Sequence, residues 1–392
     1  MQKIIIWFLC FSTFASNGYA SPNAEICTPT IKNAVVVLEK NIEPVWIRKT
    51  HISDAYVTPD APVAAYRIGD KTCLNITHNV SARVCGKSLF DLNHSAEIVY
   101  RSPENPEFPL FDYRNWLFSP YVVNDKTLVA LAHSEWYDCL KFTSGSPLSC
   151  KIGNNQSNSW SNAISAYQSD DAGKSWKRTG IVQSFDYYPS AFANIWPHKM
   201  INFGFFHPSN IIRDGNRYYA FANYTKRDPN NAEPTERGMI LLSTADILRG
   251  KWEQLAANGE FSVQAHNGMV VDGTTNWNQA NVSWNSALCQ YLILFWDGSK
   301  SRLMSTTTPS LANIKFSQPQ EVKNQLILQI AGNEHLGFAG YNYPTAHFDP
   351  NSRSANFETT GKDFFVFTNS FNAKNIMERD IYRISAHIED YQ

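Results

Sequence analysis

The chain of 392 residues carries a formal net charge of −1, and 18% of its residues are charged and 14% aromatic. This near balance of charge excludes a nucleic-acid binder that works through phosphate attraction. No apolar run after residue 20 approaches the ~20 residues of a membrane-spanning helix, so no membrane span is predicted. The sequence leaves the oligomeric state open.

Residues 1–20 have the three parts of a secretory signal peptide. Lys3 supplies the positive charge, an apolar core follows, and Gly18 and Ala20 form a small-x-small cleavage site. We expect cleavage near Ala20 and a secreted or periplasmic protein. Residues 21–56 are predicted to form an N-terminal lead-in, whose strand at Asn33–Leu38 closes against the end of the chain, and residues 57–392 to form the main domain.

The cysteines support export. Beyond the signal peptide they form an even set without C-x-x-C spacing, which argues against a thiolate zinc site and for disulfides. The connectivity is open, but proximity along the chain suggests three pairs: Cys73 with Cys85, Cys139 with Cys150, and Cys27 with Cys289.

The stretch Phe206–Lys226 predicts a β-hairpin. A short apolar strand enters through Pro208, the turn Asp214-Gly215-Asn216 follows, and an aromatic-rich strand returns at Tyr218–Asn223. His207 precedes the first strand, so functional side chains are expected at the ends of the strands away from the turn.

Four weaker copies of this hairpin pattern occur, and successive copies begin about 55 to 90 residues apart, a spacing expected of four-stranded propeller blades. The sequence therefore predicts an all-β, five-bladed β-propeller, with a β-sandwich or a two-domain β protein as alternatives. The copies are Ala61–Asn79, Asn115–Glu135, Asn281–Asp297 and Tyr341–Ser370.

A local signature lies between the second and third copies. Ser169, Asp171, Gly173 and Trp176 fit the pattern S-x-D-x-G-x-x-W of the Asp-box in sialidase-like propellers. In this pattern the Asp binds backbone amides across a turn and the Trp packs beneath the hairpin. The signature indicates fold and says little about chemistry.

Residues 237–252 read as an apolar strand, Ser-Thr, a short turn and Gly-x-Trp. With the five hairpins, this segment resembles the five-bladed propeller glycosidases of the arabinanase, xylosidase and invertase type over roughly residues 57–385. The resemblance implies an exported bacterial glycoside hydrolase with a carbohydrate substrate, although fold alone does not fix function.

Hydrolysis of a glycoside requires two carboxyl groups, one to donate a proton and one to activate water or attack the sugar. In the resembling enzymes an Asp opens the first blade as the base, a second Asp tunes pKa values, and a Glu is the acid. The matching residues are Asp60, Asp112 and Glu135. The third copy departs from the family because it opens with His207 in place of a carboxylate, so Glu236 is an alternative acid.

Histidines recur near the expected inner ends of the strands, where they could bind sugar hydroxyls or a central Ca²⁺ or other divalent metal. Arginines there suggest an anionic group on the ligand, and aromatic residues suggest ring faces on which a sugar can stack. The predicted substrate-binding residues are Arg67, His78, Arg114, His133, His207, Trp136, Trp284, Tyr343 and His347. The candidate metal ligands are His207, His266 and His347.

Three functions follow from these patterns. The first is an exported glycoside hydrolase that acts on a poly- or oligosaccharide by carboxylate acid/base chemistry in a central pocket. The second is a non-catalytic propeller that only binds carbohydrate or an envelope partner. The third is a hydrolase or lyase that uses a metal held by the histidines.

Overall fold

The structure is a computed structural model. It describes residues 27–30, 34–48, 57–78, 80–92, 95–103, 112–137, 160–185, 202–228, 233–249, 251–263, 270–275, 277–296, 301–305, 310–312, 314, 320–321, 344–348, 354–372 and 375–390. The predicted signal peptide, Cys139 and Cys150 lie outside these residues.

The described residues form five groups of strands. An N-terminal strand β1 covers Ala34–Trp46. The first group is β2 (Ala64–Ile68), β3 (Lys71–Ile76), β4 (Val80–Ser88), β5 (Asp91–Leu92) and β6 (Glu97–Arg101). The second is β7 (Arg114–Val122), β8 (Leu128–Tyr137), β9 (Trp160–Ser169) and β10 (Lys177–Gln183).

The remaining groups continue the pattern. The third is β11 (Asn202–Phe206), β12 (Ile212–Asp214), β13 (Arg217–Arg227), β14 (Pro234–Thr244), β15 (Glu253–Leu255) and β16 (Phe261–Ser262). The fourth is β17 (Asn278–Asn285), β18 (Gln290–Trp296), β19 (Ser301–Ser305) and β20 (Gln320–Glu321), and it also includes the short β22 (Thr359–Thr360) from later in the chain. The fifth is β21 (Pro344–Phe348), β23 (Asp363–Asn372) and β24 (Asn375–Asp390).

Each group is mainly antiparallel and contains one of the predicted hairpins. Parallel pairing of β11 with β9 joins the second and third groups into one ten-stranded sheet, and β22 pairs parallel with β17. In the first and third hairpins a glycine with positive φ turns the chain, Gly69 at 58° and Gly215 at 59°. The paired residues on either side of these turns are Ile68 with Lys71 and Asp214 with Arg217. The same local chemistry therefore builds equivalent hairpins in different repeats.

The ring closes through strands from the two ends of the chain. β1 pairs antiparallel with β24 and so becomes the outer strand of the last sheet, in the order β1-β24-β23-β21. The predicted closing strand is confirmed, and it extends beyond Leu38 to Trp46. Such closure leaves fewer exposed sheet edges.

Hydrophobic cores fill the interfaces between neighbouring sheets. Each of five clusters combines residues of two adjacent groups, so the sheets face one another around a ring: Tyr66 with Tyr167, Ile164 with Phe203, Phe221 with Ile293, Leu292 with Phe364, and Leu74 with Phe367. This arrangement confirms the prediction of an all-β, five-bladed propeller.

Inner strands also bond directly to their neighbours. Asn75 Nδ2 donates to the Leu117 carbonyl at 2.5 Å, the Ser119 hydroxyl donates to the Ser209 carbonyl, and Asn210 Nδ2 donates to the Val282 carbonyl at 2.8 Å. These bonds fix blades one to four in register around the axis.

An axial segment, residues 354–361, crosses the ends of four inner strands. The backbone N–H of Arg67 in β2 donates to the Ala355 carbonyl at 2.7 Å, and the N–H of Val122 in β7 donates to Asn356 Oδ1 at 2.6 Å. The N–H of Arg213 donates to Glu358 Oε1 at 2.7 Å, and the N–H of Trp284 in β17 donates to the Glu358 carbonyl at 2.8 Å. The segment therefore closes one end of the central channel.

Two of the predicted disulfides are present, Cys73–Cys85 and Cys27–Cys289. The second ties the N-terminal region to the fourth blade. Among the described residues, no helix is long and apolar enough to cross a membrane.

The turn after β9 has the bonds expected from its sequence. Asp171 Oδ1 accepts from the backbone N–H groups of Lys174 and Ser175 at 3.0 and 2.9 Å, and Trp176 is buried. The assignment of this turn to the sialidase-type Asp-box stays a prediction.

Candidate functional site

Asp60 lies just before the innermost strand of the first blade, at the end of the channel opposite the axial segment. Arg379 Nη1 in β24 donates to Asp60 Oδ1, and His78 Nε2 lies 3.4 Å from Asp60 Oδ2. The side chains of Asp60 and Arg379 are only 16% and 8% exposed. A largely buried guanidinium thus fixes the orientation of the carboxylate.

The backbone around Asp60 is held from the last blade as well. Asn369 Nδ2 donates to the Pro59 carbonyl at 2.9 Å, and the Asp60 N–H donates to the Thr77 carbonyl at 3.0 Å. The carboxylate is therefore positioned by side chains of both the first and the last blade.

Three histidines surround Trp116 at this end of the channel. The indole stacks on His78 with ring centroids 5.7 Å apart and on His207 at 6.5 Å, and it meets His133 edge-on at 4.6 Å. The rings of His133 and His207 are 5.0 Å apart. The register of the first three blades thus brings together side chains that are far apart in sequence. We call Trp116 and the three histidines the mouth cluster.

Burial keeps His133 and His207 neutral. Burial lowers the pKa of His207 to about 4, although the hydrogen bond to Asn278 and the negative charge of Asp60 favour protonation. Burial, reinforced by His207, lowers the pKa of His133 well below its usual value. Both imidazoles therefore have one N–H and one lone pair at neutral pH.

Hydrogen bonds assign these tautomers. Asn162 Nδ2 donates to the Phe203 carbonyl at 3.0 Å, so Asn162 Oδ1 accepts from His133 Nε2 at 2.6 Å. The lone pair of His133 is then at Nδ1, which is buried without a hydrogen-bond partner among the described residues. His207 donates from Nδ1 to Asn278 Oδ1 at 3.1 Å, which leaves its lone pair at Nε2.

Glu135 lies behind the mouth cluster. Its Oε1 is 3.7 Å from His133 Nε2, and the residue is only 3% exposed. In the β7–β8 ladder it is the cross-strand partner of Arg114, whose guanidinium lies 5.3 Å from the centre of the Tyr113 ring. His133 therefore connects the carboxyl group to the part of the cluster that contains His207.

Asp112 and Trp136 lie toward the interior of the second blade. The negative charge of Asp112, which is 9% exposed, raises the pKa values of Tyr100 and Tyr167, although burial is the main cause at both tyrosines. Trp136 is 8% exposed and packs with Ala163.

Arg67 and Trp284 lie at the closed end of the channel. Arg67 Nη1 donates to the Ser354 carbonyl at 3.4 Å, and its guanidinium lies 4.4 Å from the centre of the Phe357 ring. Trp284 is 3% exposed in the core between the third and fourth blades. The structure therefore does not bring these two residues to the mouth cluster.

Other predicted residues are only partly described. His347 lies in β21, where its backbone pairs with Val366. Tyr343 and His266 lie outside the described residues, and Glu236 pairs with Lys226 on the β13–β14 ladder. Within the part of the chain that the structure describes, no three metal-ligating side chains come together. The lone pairs of His133 Nδ1 and His207 Nε2 have the chemistry of metal ligands, and the metal stays a prediction.

A cleft of about 270 Å³ opens beside His207. Its walls come from β11, β13, β14 and the start of β17, and they are rich in amides and aromatic rings. The lining residues are Asn202, Phe206, His207, Asn223, Tyr224, Thr225, Arg237, Gly238, Thr275, Trp277 and Asn278. We call this feature the side cleft.

Sequence reasoning missed Arg379, Trp116 and Asn278. A cation within the long C-terminal strand was the available signal for Arg379, because a buried charge requires a partner. Nothing local distinguishes Trp116 from an ordinary core residue or marks Asn278 as the partner of a histidine.

Comparison with solved structures supports the fold. A putative exo-β-1,3-galactanase from Bifidobacterium bifidum aligns over 89% of this chain and 97% of its own, with 8% identity and a TM-score of 0.51. The chain shares the fold of propeller glycoside hydrolases. At this identity the similarity shows the fold alone.

Two further structures align less closely. A family 117 glycoside hydrolase from Zobellia galactanivorans covers 91% of each chain at 11% identity with a TM-score of 0.48. An α-L-arabinanase from Penicillium chrysogenum, complexed with arabinobiose, covers 86% of this chain and 75% of its own at 10% identity, with a TM-score of 0.39. No protein-family model and no curated protein sequence matches this chain.

Proposed function

We propose that the protein is an exported glycoside hydrolase that cleaves a poly- or oligosaccharide at the mouth cluster. The observation that carries the proposal is the arrangement of Asp60, held by Arg379 at the start of the first inner strand, beside His78 and within electrostatic reach of His207. A fixed carboxylate next to imidazole groups suits water activation at an anomeric carbon.

In this proposal Asp60 is the base or nucleophile. Arg379 prevents the carboxylate from rotating, so one oxygen stays directed toward the mouth. The Nε2 lone pair of His207 and the Nε2 of His78 supply hydrogen-bonding groups for sugar hydroxyls.

Glu135 is the proposed acid, and Asp112 the modulator. Glu135 is shielded from water by the second blade, and His133 links it to the mouth cluster at 3.7 Å. A carboxyl group must be protonated to donate to the leaving oxygen. Asp112 acts at a distance through its negative charge, which also acts on Tyr100 of the first blade and Tyr167 of the second.

Export completes the proposal. The signal-peptide pattern of residues 1–20 is supported by two disulfides, which persist in oxidising compartments. The mature protein would then meet its carbohydrate outside the cytoplasm.

The test compares turnover with binding. The purified protein is incubated with a panel of neutral and uronate-containing oligosaccharides, and new reducing ends are measured for wild type, Asp60→Asn and Glu135→Gln. We expect each variant to lose at least ~10²-fold in kcat while Asp60→Asn keeps its affinity for the glycan. Asp125→Asn, at an exposed turn, is the control and should be fully active.

A second function is favoured by one observation. Glu135 is only 3% exposed, which suits a structural carboxyl group as well as an acid. If wild type binds a glycan of the panel but releases no reducing ends, the protein is a carbohydrate-binding propeller and the hydrolase proposal is wrong.

A further inference from the structure

The side cleft adjoins the proposed catalytic centre through shared residues. His207 and Asn278 line the cleft and are also hydrogen-bonded to each other at the mouth. A volume of about 270 Å³ is close to the lower end of small-molecule pockets, roughly 300–1,000 Å³, so the cleft accommodates a ligand of monosaccharide size. A sugar in the cleft would therefore contact the mouth cluster.

The wall of the cleft is held rigid by side-chain to backbone bonds. Asn223 Nδ2 donates to the Trp277 carbonyl at 2.7 Å, and Asn223 Oδ1 accepts from the Gln279 N–H at 3.0 Å. Trp277 stacks on Phe295 with centroids 3.8 Å apart. A fixed wall of aromatic and amide groups loses little conformational freedom when a sugar binds.

The cleft has a positive charge at its edge. Arg237, an exposed residue of β14, is the one side chain with a permanent charge among the described residues that line it. Arg227 stands close behind: its Nε donates to the carbonyl of Asn202, which lines the cleft, at 2.8 Å. Burial lowers the pKa of Arg227, the positive charge of Arg237 lowers it further, and the charge of Glu233 opposes both.

We propose that the side cleft is a subsite for a sugar unit that carries an oxyanion, and that Arg237 binds this group. A guanidinium forms two parallel hydrogen bonds to a carboxylate or a sulfate, whereas neutral sugars gain nothing from its charge. The inference rests on the proposed function and defines its substrate as an anionic glycan. The oxyanion is either the carboxylate of a uronic acid or a sulfate ester.

The experiment measures binding of small probes without turnover. Galacturonate, galactose 6-sulfate and galactose are titrated by NMR into wild type, Arg237→Gln and Arg237→Lys. We expect saturable binding of at least one anionic probe, about ten-fold or more weaker for Arg237→Gln, partly restored by Lys and weakened by salt. Arg249→Gln, whose side chain is 83% exposed, is the matched control and should bind as wild type does.

The outcomes separate the two proposals. Preference for galacturonate identifies a uronic acid, and preference for the sulfated sugar identifies a sulfate ester. The inference is wrong if no probe binds, if galactose binds as tightly as both anions, or if Arg237→Gln changes nothing. If the protein hydrolyses neutral glycans and Arg237→Gln is fully active, the anionic subsite is wrong and the hydrolase proposal stands. If binding depends on Arg237 but no turnover occurs, the subsite stands and the hydrolase proposal is wrong.

Discussion

The axial segment makes the stability of the propeller depend on pH through Glu358. This carboxyl group is 7% exposed, and it accepts from the Arg213 N–H at 2.7 Å, from the Tyr121 hydroxyl at 3.2 Å and from the Ser354 hydroxyl at 3.3 Å. Burial raises its pKa to about 7, although these hydrogen bonds and the charge of Arg213 act in the opposite direction.

The sign of the effect follows from this raised pKa. Below the ordinary value of 4.5, Glu358 is protonated in both the folded and the unfolded chain, so its favourable contribution is complete. As pH rises toward about 7, the unfolded chain releases the proton first and the folded state loses stability. At about 1.4 kcal/mol per pKa unit the full loss is about 3 kcal/mol, of which roughly 2 to 3 kcal/mol falls between pH 5 and pH 8.

Glu358→Gln removes the titration and retains the hydrogen-bonding geometry. The free energy of unfolding is measured in urea at pH 5, 6, 7 and 8 for wild type and variant. We expect the difference, wild type minus variant, to fall by roughly 2 to 3 kcal/mol over this range. Glu260→Gln, at an exposed position, should give a curve parallel to that of wild type. A constant difference for Glu358→Gln would refute the reasoning.

Three further predictions concern the mouth and the joint between blades. Arg379→Met leaves the Asp60 carboxylate without its guanidinium and should cost about 3–5 kcal/mol in urea unfolding; adding Asp60→Asn should recover part of this loss, and simple additivity would argue against the ion pair. The His207 imidazole should titrate by NMR near pH 4, with stability falling as pH drops from about 6.5 to about 4, and a midpoint above 6 would contradict its burial. Gly204 has φ at 110°, and a Cβ added there would lie 2.2 Å from a backbone oxygen of β9, so Gly204→Ala should lower the free energy of unfolding by at least ~2 kcal/mol. Gly180→Ala, with open space around it, should leave that free energy nearly unchanged.

The fold was accessible from the sequence because its signals are local. Turn residues such as Gly215 mark a hairpin within about twenty residues, and the hairpin is the unit that repeats. The closing strand near Leu38 was accessible for a similar reason, since a propeller requires a partner for its last edge.

The site was less accessible because its contacts cross the ring. Asp60 and His78 lie in one hairpin and were predicted, but the partner of Asp60 is Arg379, 319 residues away. Arg67 and Trp284 were predicted at the mouth and lie at the closed end, because strand direction and length decide which end a side chain reaches. Glu358 gave no sequence signal, since its partners Tyr121, Arg213 and Trp284 come from three different blades.

In the proposed function, the axial segment restricts how a glycan can bind. The axial segment bonds to the ends of four inner strands, so among the described residues it blocks passage along the axis past Arg67 and Trp284. A glycan bound at Asp60 would then continue sideways rather than along the axis. The side cleft leads sideways from His207, between the third and fourth blades. A lateral path that passes Arg237 is therefore the route that the described surface offers to a second sugar unit, and affinity for longer anionic oligosaccharides should depend on Arg237 more strongly than affinity for a monosaccharide.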